Sequence, residues 1–193
     1  MLASSRLCAQ DNNTIRFQRY GVENGLSQTT IRDLYQDQQG FIWLATQDGL
    51  NRFDGYEFRI YRNDPTKLNT LGDNHIVALE SANNKGFWVG TQSGGLALYD
   101  PINDEFKRFQ AGGKFGDLAD NGISTLKQDK QKRFWVSTNA GTLQWFDEKQ
   151  MVFQSVIAVN YDLVGRVKSM LDYRQGLLLG TRNGMYFLAD EHA

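Results

Sequence analysis

The sequence predicts an all-β fold assembled from repeated four-stranded antiparallel units, and three observations predict it. A short apolar stretch closing in a threonine and a glycine turn occurs four times, with its threonines at Thr46, Thr91, Thr138 and Thr181. The spacings are 45, 47 and 43 residues, a period that marks a repeat architecture. Between these stretches lie further short apolar runs bounded by Gly, Asn or Asp, too brief for helices and punctuated as hairpins are. Glycine is plentiful (19) and proline scarce (2), which suits a chain that turns often inside sheets.

The first copy, residues 40–50, reads Gly-Phe-Ile-Trp-Leu-Ala-Thr-Gln-Asp-Gly-Leu. Residues 86–94 and 133–141 repeat it around Trp88 and Trp135, and residues 176–184 repeat it with Leu178 in place of tryptophan. The residues before each threonine are apolar or small and read as a buried strand. The turn that follows is tight, because glycine takes positive φ without a steric cost. The threonine suits a strand end, where its hydroxyl reaches the turn backbone. Each tryptophan is a flat group suited to filling a wedge between sheets, although stacking on a sugar is the other use of such a ring.

In chain order, residues 1–13 are unlike the rest and read either as the remnant of a secretory signal or as a disordered start. Residues 15–20 alternate through Ile15 and Phe17, which predicts an orphan outer strand. Unit one spans about 30–62, with Ile31 and Leu34 opening its first strand. Unit two spans 75–109, unit three 122–157 and unit four 166–189, the last stopping after three strands. The first strands carry Ile-x-x-Leu, a spacing of three where simple alternation gives two, so a bulge is expected there.

Four-stranded antiparallel units of about 45 residues are the blades of a β-propeller. The sequence therefore predicts about 3.5 blades, a partial propeller, with each first strand nearest the axis. Strand parity puts the links between blades and the turns after the threonines at one end. The links are long, so this end is the expected binding face. Three or four blades in an open arc leave strand edges that invite self-association.

Composition excludes several classes. Net charge is −1, which gives no global field toward nucleic acid, and no stretch of about 20 apolar residues spans a membrane. Cys8 is the single cysteine, so no disulfide forms within the chain, and His75 and His192 are the only histidines, too few for a zinc site. No metal or cofactor is expected. Asp54, Asp100 and Asp147 recur after the third strands and read as turn residues rather than catalytic carboxylates. Residues 100–104 lack the acidic spacing of a calcium loop. Arg62, Asn74, His75, Asn121 and Arg166 fall at the long-loop end and make the candidate ligand-binding rim.

The stretch Ile31-Arg32-Asp33-Leu34, with Asp37 and residues 40–55, closely resembles the two-component regulator propeller repeat, and Gly25-Leu26-Ser27-Gln28 resembles its usual lead-in. The resemblance covers residue 15 to about 188. Unit four departs from the pattern, with Leu178 and no clear acid in its first turn. The resemblance implies the periplasmic sensor of a hybrid histidine kinase or diguanylate cyclase, present as an amino-terminal fragment of a propeller with about seven blades. It implies an unknown ligand, a glycan or another small molecule, and the remainder of the receptor as partner. It also implies no catalysis in this segment. The readings from other classes are a propeller lyase or glycan hydrolase, which needs a converging cluster of histidines, acids or metal ligands, and a protein-interaction scaffold.

Overall fold

The computed structural model describes residues 16–83, 86–156 and 165–189. Four antiparallel sheets follow one another along the chain. Blade one is β1 (Asp33–Gln36), β2 (Ile42–Thr46), β3 (Gly49–Phe53) and β4 (Phe58–Tyr61). Blade two is β5 (Ile76–Ser81), β6 (Phe87–Thr91), β7 (Leu96–Asp100) and β8 (Glu105–Phe109). Blade three is β9 (Ile123–Gln128), β10 (Phe134–Thr138), β11 (Leu143–Asp147) and β12 (Val152–Ser155). Blade four has three strands, β13 (Val167–Asp172), β14 (Gly176–Thr181) and β15 (Gly184–Ala189). Sheet order equals chain order, as hairpin connections dictate. The first strands pack in succession, β1 on β5, β5 on β9 and β9 on β13, so they are the inner ring of a partial β-propeller.

Each turn after a threonine is built as its residue types require. Thr46 Oγ1 donates to the Gly49 carbonyl at 2.8 Å, Thr91 Oγ1 to that of Gly95 at 2.7 Å, and Thr181 Oγ1 to that of Gly184 at 2.9 Å. Gly49, Gly95 and Gly184 all have positive φ, which a side chain would strain. These turns are sewn to the links: Gly49 N donates to Asn74 O, Gln92 N to His75 O and Asn139 N to Gly122 O, at 2.6–2.9 Å. Turns and links thus share one end of the barrel.

The bulges are present in blades two, three and four. Ile76 pairs with Thr91 and Ala78 with Gly90, so Val77 is the extra residue. Ser124 is extra between Ile123 and Thr125, and Lys168 between Val167 and Ser169. One added residue resets the strand's parity, so that Ile76 and Leu79 are both buried while Val77 is aimed elsewhere.

Burial separates the middle blades from the end ones. All five residues of β6 and of β10 are buried, one face against each neighbouring blade. The β2 and β14 strands alternate between buried and half-buried over their first four residues, because one face of each lacks a neighbouring blade among the described residues. The tryptophans fill the wedges. Trp43 packs on Phe87 and Tyr99 of blade two, with ring centroids 4.8 and 4.7 Å apart. Trp88 stacks on Phe134 of blade three at 4.4 Å and 12°, with Phe146 edge-on at 5.2 Å. In blades one and three a turn aspartate holds the indole: Trp43 Nε1 donates to Asp37 Oδ2 at 2.7 Å and Trp135 Nε1 to Asp129 Oδ2 at 2.8 Å. By register, the same position is Ala82 in blade two and Tyr173 in blade four.

One expected element differs. Residues 16–20 form no strand, and Ile15 lies outside the described residues. Blade one already has four strands, and β15 pairs with β14 alone, so residues 16–20 join neither the first nor the last sheet. Phe17 is 95% exposed, which removes the buried side that alternation implied. Tyr20 instead lies against Phe53 and Phe58, with ring centroids 4.9 and 6.5 Å away. A single 3-10 turn, Val22–Asn24, then leads Leu26 into the core. Residues 1–13 also lie outside the described residues.

Candidate functional site

The inner strands line an open cavity of about 250 Å³ at the end where turns and links meet. Its lining follows the repeat. The bulge positions supply Val77, Ser124 and Lys168, and blade one supplies Arg32, which immediately precedes β1. The residues just before the inner strands supply His75 and Arg166. Those just after the threonines supply Gln92 and Asn139. At Val77, Ser124 and Lys168 it is the bulge that brings the residue to the cavity wall, since in an unbroken strand its parity would place it on a blade face.

The surrounding loops are fixed by buried or half-buried polar groups. Asn51, wholly buried, accepts from Ser27 N and donates to Ser27 Oγ, at 2.9 and 2.8 Å. Gln144 does the same for the next link but one, accepting from Ala119 N at 2.8 Å and donating to Asp117 O at 3.2 Å. Arg108 holds the first link through Thr70 O and Lys67 O, at 2.6 and 2.9 Å. These three anchors carry no signal of their own in the sequence, because each is a polar residue where a strand pattern expects an apolar or solvated one.

Of the five expected rim residues, the structure brings His75 and Arg166 together in the cavity. Arg62 forms a two-pronged bond with Asp48, Nε–Oδ1 3.0 Å and Nη2–Oδ2 2.8 Å, which holds the Asp48 carboxyl below its usual range. Asn74 and Asn121 accept from the link backbone, from Asn63 N and Ala111 N respectively, each at 2.7 Å. Asp54, Asp100 and Asp147 each accept from N–H groups of their own hairpin, at 2.8–3.4 Å, in three separate blades. Among the described residues no three His, Cys, Asp or Glu side chains converge as a metal site.

The cavity's charge is one-sided. Arg32, Arg166 and Lys168 line it with no carboxylate among the lining residues. Arg166 Nη1 donates to the neutral Asn139 Oδ1 at 2.7 Å. Slight burial and the charges of Arg166 and Arg182 hold the Lys168 ammonium below its usual pKa. The His75 Nε2 atom is buried without a hydrogen-bond partner among the described residues.

Comparison with known proteins bears on the family. The model of the two component regulator propeller matches residues 25–48 and 117–140. The chain carries two-component regulator propeller repeats. The matched segments contain Asp37 with Trp43 and Asp129 with Trp135, the two blades in which aspartate and indole are paired. Over 59 residues, 31% of the chain, the regulator propeller is 48% identical to histidine kinase P4 of Formosa agariphila, of which it covers 4%. It superposes on the extracellular domain of BT3049, assigned as a hybrid two component system of B. thetaiotaomicron, with a TM-score of 0.80 and 25% identity. That match covers 89% of this chain and 25% of the other. PorZ of Porphyromonas gingivalis, a surface component of the type-IX secretion system, shares the fold, with a TM-score of 0.63 at 16% identity over 82% of this chain and 25% of its own. The regulator propeller therefore spans a quarter or less of each relative's length. Among the described residues no helix is long and apolar enough to cross a membrane.

Proposed function

We propose that this chain is an extracytoplasmic sensing segment of a two-component signalling receptor, periplasmic in setting, which receives a ligand and performs no catalysis itself. The observation that carries the reading is the superposition on an extracellular two-component domain over 89% of the chain. The ligand seat is the axial cavity, where three inner strands and the links converge on polar side chains. Occupying it ties neighbouring blades together, and the change in blade geometry passes to the remainder of the receptor. The ligand is a small molecule or the end of a glycan, since about 250 Å³ is below the ~300–1,000 Å³ of sites that engulf a drug-sized molecule. The open edge of β15, where Met185 and Phe187 are 73% and 49% exposed, is covered by a further strand, from the rest of the receptor or a second copy.

The test is a fusion of the natural full-length gene to a reporter active only outside the cytoplasm, placed within the propeller region. Reporter activity is the expected result. An intact fusion that stays inactive overturns the extracytoplasmic reading.

A further inference from the structure

We propose that the axial cavity is a seat for an anion, a carboxylate or sulfate group, held by Arg32, Arg166 and Lys168. The proposal rests on the sensor reading for its physiological meaning and names the chemical class of that ligand.

The charge of the cavity does not match that of the rest of the chain. Net charge is −1, so basic residues are not in excess overall. Yet three of the nine cavity-lining residues are cationic and none is acidic. Elsewhere in the described residues cations near carboxylates are paired, as Arg59 is with Asp104, Arg62 with Asp48 and Arg133 with Asp129. Among the described residues Arg32, Arg166 and Lys168 form no such pair. Like charges gathered around one space repel, so the arrangement costs free energy until an anion enters.

The origin of the three cations makes the arrangement specific. Arg32 comes from blade one, and Arg166 and Lys168 from blade four, so they approach the cavity from the two ends of the arc. Blades two and three contribute neutral polar groups between them, Gln92, Ser124 and Asn139. Asn139 Oδ1 orients the Arg166 guanidinium at 2.7 Å, and Ser124 Oγ is turned away to Val167 O at 2.7 Å. Guanidinium groups match the planar fork of a carboxylate or two sulfate oxygens, and an ammonium adds a point charge. Burial first and the charge of Arg166 second lower the Lys168 pKa, and Arg166 is one of the cavity's cations.

The test uses the whole 193-residue chain and direct binding measurements by calorimetry and thermal shift. The probes are sodium sulfate and sodium glucuronate, with glucose and sodium chloride at matched ionic strength as controls. Saturable binding of either anion, absent for glucose and chloride, is expected. Sulfate alone points to an oxyanion-sized seat, and tighter glucuronate to a sugar acid whose ring meets Gln92 and Asn139. Sulfate stabilises proteins generally by exclusion, so only the saturable, variant-sensitive part counts. The variants R32Q and K168Q change exposed side chains and each weaken binding about tenfold, as loss of a charge-assisted bond does. R32K and K168R retain it. Absence of saturable binding by both anions, or undiminished affinity in folded R32Q and K168Q, overturns the proposal. Glucose binding as tightly as glucuronate also overturns it while leaving the sensor reading intact. A silent export reporter with anion binding preserved removes the sensor reading and leaves the seat.

Discussion

Blade two and blade four are built from the same repeat and end in different states. In blade two the Phe87-Trp88-Val89 run is buried on both faces, Phe87 toward Trp43 and Trp88 toward Phe134. In blade four Leu177 and Leu179 are buried while Leu178, in the tryptophan position, is only half-buried. The repeat's apolar stretch therefore does not fix its own burial. A neighbour on each side does, which is the nearest-neighbour logic of repeat proteins. Trp135 clusters with the aliphatic Leu177 and Leu179 of blade four, so the tryptophan position does not need an aromatic neighbour. Blade four also holds blade three through a hydrogen bond, with Lys130 N donating to Asp172 Oδ1 at 3.0 Å.

The largest expected effect breaks this comparison at its centre. Trp88→Ala removes a ring packed between blades and costs about 3–5 kcal/mol in chemical denaturation. Leu178→Ala costs about 1 kcal/mol, because part of the side chain is already solvated. Equal losses at the two sites would contradict the difference between blades.

A smaller effect comes from the position where blades touch most closely. A Cβ built on Gly90 would lie 2.8 Å from Ile123 Cγ2, on the inner strand of the next blade. Gly90→Val costs about 2–3 kcal/mol by overpacking, read as a fall in the denaturation midpoint. At the matching Gly180 the nearest atom is the Ser169 hydroxyl, which rotates away, so Gly180→Ala is the milder change.

Next comes the aspartate that distinguishes blade three from blade two. Asp129 is 3% exposed and accepts from Trp135 Nε1 and from Arg133 Nε at 2.7 Å. Asp129→Ala leaves a buried indole N–H unpaired and costs about 2 kcal/mol in the same assay.

The smallest effect is on pH dependence, at the knot joining blades one and two. The Tyr61 and Tyr99 hydroxyls both donate to Asp104 Oδ1, at 2.8 and 2.9 Å, and Arg59 meets Oδ2 at 2.6 Å. Burial pushes the Asp104 carboxyl up, but these partners outweigh it and hold it below 3.8. Burial and Asp104 raise the Tyr61 phenol and push Tyr99 up to about 12. A depressed carboxyl stabilises above its unfolded pKa and loses that contribution as pH falls through the folded value. A raised phenol stabilises below its unfolded pKa of about 10 and loses it as pH rises through the folded value. The knot's contribution is thus level between about pH 4 and pH 10 and falls outside it. Denaturation midpoints of Asp104→Asn should lose the acid-side part of this dependence.

The blades were legible because the signals are local and repeated. Threonine, glycine and tryptophan recur at fixed offsets, and each does at its site what its chemistry allows. Residues 16–20 were misread because alternation says nothing about whether a partner edge exists. At the site, His75 and Arg166 were legible because they sit just before inner strands, where a link delivers them to the axis. Arg32, Ser124 and Lys168 were not. The expected bulge was legible from the Ile-x-x-Leu spacing, but the side chain it re-aims is seen only in the register. Arg62, Asn74 and Asn121 look free in sequence, and their partners, Asp48 and the link backbone, are fixed by loop geometry.

Hydrogen exchange across the strands tests most directly the claim that neighbouring blades, rather than the repeat itself, create the buried state. The account predicts slowest exchange in β6 and β10, faster exchange in β14, and fast exchange at residues 185–188 and 16–20. Strong, matching protection of residues 16–20 and 185–188 would contradict it, since that result requires the first and last strands to pair and the arc to close as a ring.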